Sequence, residues 1–305
     1  MSELLCTGLR GSHPLGVMAA FGLLRVASGV DLPQPVRLSW REGADWQACL
    51  HFPVAVSRDE VLTALAGAVM ARTANPPLPG QTDMKLLPET LAQLARDGVA
   101  TGDEETMALL AAVGSEAVTL GNRPEVKPTG FYMLSGQQRF FSIVRELTAL
   151  LAAGETTAAL TEALFGPWRY RDPVHALGWD PEAERLHALQ AQSPTKKKAQ
   201  NVAGAVWLGV ESLPLWPVVA RDGRLWTTGF REASARWLSW PVWTAPIDLA
   251  TLRSVLTLAD LHEETPDERC LARLRGRGIA HVFRARRVPV GDKGYMIFRP
   301  ADLVC

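Results

Sequence analysis

The sequence predicts an α+β fold. Its 305 residues are 47% hydrophobic and 21% charged, the balance of a chain that folds around a buried core rather than a disordered one. Apolar residues recur at helical 3-4 spacing in several stretches that open on capping residues. Short strand-like runs bounded by Gly, Pro and Asp turns lie towards both ends, with helical patterns between them. The expected organisation is a mixed α/β N-terminal domain over 1–130, a helical region over 131–200, and a third part over 201–305. That last part is a Trp-rich β-containing segment followed by a C-terminal helix–helix–hairpin unit of winged-helix-like order.

The first run, 4–10, reads as a strand. Gly11-Ser12-His13-Pro14 turns the chain, and Pro14 suits the first position of a helix because its missing N–H would have no partner there. Leu15, Met18, Ala19, Gly22, Leu23 and Val26 give that helix one apolar face. Residues 36–40 and 46–52 predict a hairpin. Ser57-Arg58-Asp59-Glu60 is a capping box that opens a helix to about residue 72. Two short helices are predicted at 88–97 and 103–113, then a Pro/Gly stretch over 121–130. Ser135-Gly136-Gln137-Gln138 has the pattern of a second capping box, opening a long helix to about residue 153. Further helices are predicted at 156–164 and 181–192.

From 201 to 247 the pattern changes. Six of the ten tryptophans fall between Trp207 and Trp243, and prolines at 214, 217, 241 and 246 divide the segment into short pieces. A hairpin is predicted around Arg221-Asp222-Gly223-Arg224. Asp248 caps a helix over 248–259, and Pro266 takes the first position of another over 266–275. Residues 279–288 and 294–298 form the last hairpin. The tryptophans read as core or subunit contact rather than base-stacking platforms, because large aromatics supply most buried area wherever they pack.

The net charge is zero, which by itself points to no partner, but it is unevenly placed. Between residues 269 and 299 nine basic residues face a single acid, Asp292; the rest of the chain has 23 basic and 31 acidic residues. Such asymmetry points to a polyanion, with a protein or anionic ligand, or arginines that only solvate a surface or pair with acids from elsewhere in the fold, as the other readings. The candidate phosphate-binding residues are Arg273, Arg275, Arg277, Arg284, Arg286 and Arg287, with Lys196, Lys197 and Lys198 as a second basic focus. Arg284 and Arg286 alternate along a strand and therefore share a face.

Nothing in the sequence predicts catalysis. There is no phosphate-binding glycine loop, no nucleotide fingerprint, no nucleophile elbow and no zinc-hydrolase helix. Cys6, Cys49, Cys270 and Cys305 are scattered, and the six histidines have no ligand spacing, so neither metal nor cofactor is expected. His13 reads as a capping or packing residue. His175, near Arg169, Arg171 and Asp172, is where a nuclease site is imaginable, though nothing in the sequence fixes its geometry; His262 is the other histidine that a hydrolase or nuclease would use. Unpaired cysteines, no secretory signal and no apolar run of about 20 residues predict a cytoplasmic protein without a membrane partner.

Three stretches carry a family resemblance. Gly11-Ser12-His13-Pro14-Leu15-Gly16 followed by Met18-Ala19-Ala20-Phe21-Gly22-Leu23-Leu24-Arg25 resembles the start of large-subunit-type CRISPR-associated proteins of type I effector complexes, the I-G variety formerly called I-U. There a Pro-Gly or Pro-Leu turn leads into a small-residue helix. Phe131 to Arg139 is similar to that group's F-x-x-x-x-G-x-Q helix opening, and Val206 to Pro217 to a helix leading into G-L-x-x-F/W-P. The resemblance implies a non-catalytic subunit of a Cascade-like ribonucleoprotein, with CRISPR RNA, target DNA and other effector-complex subunits as partners. It implies a role in recognising and holding target DNA. Gln137, Gln138 and Arg139 then stand at a helix start that meets nucleic acid or a neighbouring subunit. The competing expectations are a protein-interaction scaffold that does not touch nucleic acid and, third, a hydrolase or nuclease with an unrecognised site.

Overall fold

A computed structural model describes residues 2–182, 200–290 and 294–305. The fold is α+β. Strand β1 (Ser2–Arg10) pairs with β3 (Gln47–Phe52), which pairs with β2 (Arg37–Arg41), in an antiparallel sheet of order β1-β3-β2. Helix α1 (Pro14–Ala27) follows β1, and all fourteen of its residues are buried. Helix α2 (Arg58–Ala74) starts on the expected capping box, with both of its hydrogen bonds in place. Next come α3 (Pro88–Thr101) and α4 (Glu104–Val113), the ribbon β4 (Gly114–Leu120) with β5 (Arg123–Pro128), then α5 (Phe140–Ala153) and α6 (Thr156–Phe165).

After the second described stretch begins, α7 (Ala203–Glu211) runs through the centre with every residue buried. It lies against α1 so closely that a Cβ on Gly22 would sit 1.8 Å from the Leu208 carbonyl oxygen. Glycine at that point is therefore a packing requirement. The hairpin β6 (Val218–Arg221) and β7 (Arg224–Thr227) turns on Asp222 and Gly223, both at positive φ, as a two-residue hairpin turn demands. Strand β8 (Trp237–Trp243) leads to α8 (Leu249–Leu256), α9 (Glu268–Gly276), the long strand β9 (Ile279–Val290), β10 (Tyr295–Phe298) and the short β11 (Asp302–Leu303). β9 pairs antiparallel with β8, β10 and β11.

Several expectations change. The 121–130 stretch holds the turn of the β4–β5 hairpin: Gly121 takes φ +65°, and the prolines of β5 are tolerated because this ribbon has only two strands. The second capping box does not open a helix. Gln138 Oε1 accepts from the Ser135 amide, but α5 begins at Phe140, whose amide is taken by Oδ1 of Asp83, from far upstream. Pro266 precedes α9, and Asp267 is its cap, accepting from the Cys270 amide. Strand β8 runs straight through Pro241. The last hairpin is not a detached wing, since β9 carries the Trp-rich strand β8 along most of its length. The helix expected over 181–192 lies largely outside the described residues.

One buried cluster extends from Cys6 to Phe298 and draws on all three expected segments. Trp40, Trp179, Trp207, Trp216 and Trp240 are among its largest fully buried side chains. Trp240 Nε1 donates to the Gly11 carbonyl and Trp243 Nε1 to that of Leu38, joining the N-terminal sheet to the Trp-rich strand. A second, smaller cluster of Leu261, Cys270, Leu274, Ile279 and Val282 seats α9 on β9.

Charge is also buried between the helices. Arg25 of α1 and Glu211 of α7, 8% and 7% exposed, pair at 2.7 Å. Arg72 of α2 reaches Glu211 at 3.0 Å and Glu105 of α4 at 2.6 Å, and Arg25 also bonds Glu105. Two guanidiniums and two carboxylates thus close a neutral network across four helices. Burial opposes the charge of Glu105, but hydrogen bonds from Arg72 and Arg25 hold its carboxyl below the usual range.

Candidate nucleic-acid interface

The basic C-terminal unit sorts its arginines by what covers them. Arg284 is 7% exposed. Its Nε donates to the Ser239 hydroxyl at 2.9 Å, and Nη2 donates to the carbonyls of Leu261 at 3.2 Å and Glu263 at 2.7 Å. It ties the turn after α8 to the sheet and does not face solvent, so its assignment as a phosphate contact is corrected. The alternation rule placed Arg284 and Arg286 on one face, but only Arg284 lies under the 261–263 segment.

Arg273 and Arg277 converge on Asp260, with contacts of 2.6 Å each. Hydrogen bonds from the two guanidiniums, Arg273 first, hold the Asp260 carboxyl below its ordinary range. One carboxylate is shared by two cations, so this cluster keeps one positive charge. Arg287 is largely withdrawn from water, its Nη2 donating to the Tyr132 carbonyl at 2.9 Å; burial lowers its pKa to about 10. It too is corrected as a surface contact. Arg275 is exposed on α9.

Arg286 is exposed, with its guanidinium carbon 5.6 Å from the centre of the Trp237 ring. Trp237 stands opposite it in the β8–β9 register and is half-buried. The Arg286 carbonyl accepts from the amide of Arg299, also exposed, and the exposed Arg236 precedes Trp237, its carbonyl accepting from the Arg287 amide. Adjacent strands are about 5 Å apart, so Arg286 and Arg299 lie side by side with an aromatic ring beneath the first. Among the described residues neither arginine pairs with a carboxylate; one acid, Asp302, stands in register with Arg284 on the next strand. Sequence reasoning counted Arg299 in the basic excess without choosing it, and it missed Arg236. The signal for both was their position at strand ends flanking Arg286.

The Gln137–Arg139 segment lies elsewhere. It lines a wide cavity of about 1030 Å3 with Ser142, Glu146 and His175. Gln137 and Arg139 are exposed, while Gln138 contacts His175 Nε2 at 2.9 Å. Arg139 bonds the carbonyls of Gly136 and Gln138. His175 Nδ1 accepts from the Leu177 amide, and burial lowers its pKa to about 4, so it is neutral near pH 7. Asp172 is spent on the Ala203 amide at the start of α7. His13 accepts from the Gly16 amide as the cap of α1, as its position predicts. Lys196, Lys197 and Lys198 lie outside the described residues.

Among the described residues no group of three or more His, Cys, Asp or Glu side chains could hold a metal ion, and no helix is long and apolar enough to cross a membrane. Compared with known proteins, the chain matches no family model, no curated protein and no solved structure.

Proposed function

We propose that this chain is a non-catalytic nucleic-acid-binding subunit of a ribonucleoprotein, and that the assembly is a CRISPR effector complex of the Cascade-like kind. The observation that carries the nucleic-acid reading is the exposed pair Arg286 and Arg299, with Trp237 beneath Arg286. Guanidiniums in a row bind successive phosphates and release counterions, while an aromatic ring at the same place accepts a base in stacking. Arg275 and Arg236 are exposed as well, and with the residual charge of the Arg273–Asp260–Arg277 cluster they add to the positive charge of the C-terminal unit. Contacts of this kind give affinity without sequence readout.

The CRISPR part rests on the resemblance alone. The three stretches that carry it are distant in sequence yet meet in one core. Phe21 lies 5.8 Å from Trp216 and Phe131 5.3 Å from Trp216, ring centre to ring centre, and Gly22 meets Leu208. The residues that carry the resemblance are thus core residues of this fold.

The test is fluorescence anisotropy of labelled single-stranded and duplex oligonucleotides with purified protein at low salt. Replacing Arg275, Arg286 and Arg299 together with Glu is expected to weaken binding at least tenfold without loss of folding. A wild-type protein that binds no oligonucleotide, yet co-purifies stoichiometrically with other proteins, selects the scaffold reading instead.

A further inference from the structure

A cavity of about 220 Å3 opens between β5, β7, the 233–235 loop and the β9–β10 hairpin. Its wall includes Lys85, Lys127 and Arg287, three half-buried cations, and no carboxylate among the described residues. The acid nearest along the strand, Glu125, is not part of the wall, and Asp83 beyond the Tyr132 ring is engaged by Met84, Phe140 and the Tyr132 hydroxyl.

Among the described residues the cations have only neutral partners. Lys127 Nζ donates to the Ala233 carbonyl at 3.2 Å, Arg287 Nη2 to that of Tyr132, and Lys85 Nζ stands 4.6 Å from the centre of the Tyr132 ring. Desolvation, then repulsion from Arg287 and Arg224, lowers the Lys127 pKa, and burial lowers that of Arg287. Two donors on the wall are left over. Thr129 is 2% exposed and its Oγ1 has no partner among the described residues, and Nε of Arg287 is buried and likewise unpartnered among them. Native proteins seldom leave buried donors unpaired or gather like charges in a half-dry hollow without a counter-charge.

We propose that this cavity binds the phosphate group of a phosphate ester, held by Lys127, Arg287 and Lys85 with Thr129 as hydroxyl donor. A phosphate offers several acceptor oxygens for the unused donors and a negative charge that no described residue of the wall supplies. Leu120, Leu134 and Met296 line the same hollow and give an attached sugar or base an apolar wall. The inference does not rest on the nucleic-acid surface: Arg286 and Arg299 are not part of this wall, so the two fail or succeed separately.

The test uses the full chain and measures Tm and 31P NMR line width with inorganic phosphate and with adenosine 5′-monophosphate, against chloride at matched ionic strength. The wild type is expected to show a saturable rise in Tm and broadening of the phosphorus signal. Lys127→Met is expected to fold and to lose at least tenfold in affinity, and Lys127→Arg to retain binding. If Lys127→Met does not fold, Lys85→Met takes its place. Tighter binding of a 5′-phosphorylated oligonucleotide than of its unphosphorylated twin makes the source a nucleic-acid end; binding of the mononucleotide alone makes it a free nucleotide. Absence of saturable binding by the wild type, or undiminished binding by the methionine variant, overturns the proposal.

Discussion

Arg284 and Arg286 are two residues apart on one strand, and the structure gives them opposite fates on substitution. Arg284→Met removes three hydrogen bonds. Water can reach the Glu263 carbonyl, which belongs to an exposed residue, but Leu261 is 1% and Ser239 0% exposed. Each buried group left without a partner costs about 1–3 kcal/mol, so the variant, with two such groups, is expected to lose about 2–6 kcal/mol. Arg284→Glu is expected to be worse, because it sets a carboxylate against carbonyl oxygens. Arg286→Met gives up only an exposed cation–ring contact of about 0.5–1 kcal/mol. Urea denaturation of the three proteins measures this directly. Losses for Arg284→Met and Arg286→Met that agree within about 0.5 kcal/mol would refute the burial argument. The result also decides how binding data are read, since a charge reversal at Arg284 weakens nucleic-acid binding by unfolding the unit that carries it.

Two further outcomes follow from the buried charges. Glu211→Gln strands Arg25 and Arg72 beside a single carboxylate and is expected to cost about 3–5 kcal/mol, while the double variant Arg25→Met with Glu211→Met, which leaves the Arg72–Glu105 pair balanced, recovers a large part of that; a double-mutant cycle by chemical denaturation checks it. Burial lowers the pKa of both His175 and His262 to about 4, so between pH 6.5 and 4 the unfolded chain binds more protons than the native one. Stability is therefore fully present above pH 6.5 and falls on acidification by roughly 1.4 kcal/mol per pH unit for each histidine; His175→Gln is expected to reduce that slope between pH 6.5 and 5, and an unchanged slope would contradict it.

Local signals were legible in the sequence where the structure uses them locally. The Ser57 capping box, the Asp222-Gly223 turn and Pro14 at the start of α1 need only neighbouring residues, and each stands as expected. Ser135 has the same local pattern as Ser57, but Asp83, more than fifty residues upstream, takes the α5 amide instead. The basic excess was visible as composition, yet cover decides exposure, and cover comes from elsewhere: the 261–263 segment buries Arg284, and Asp260 takes up two more arginines. The cavity cations Lys85, Lys127 and Arg287 are brought together by tertiary folding alone, and no spacing rule unites them. Six of the ten tryptophans are buried as their bulk predicts, while Trp46, Trp168, Trp226 and Trp237 are half-buried, Trp237 beside the exposed Arg286.

The central claim is that the exposed arginines grip a phosphate backbone, and its most direct measurement is the salt dependence of oligonucleotide affinity. With Arg236, Arg275, Arg286 and Arg299 each neutralising about one phosphate of a single strand, log K is expected to fall against log salt with a slope of about −3. The triple Glu variant is expected to flatten that slope by about 2. A wild-type affinity indifferent to salt, or a triple variant with the wild-type slope, would contradict the account.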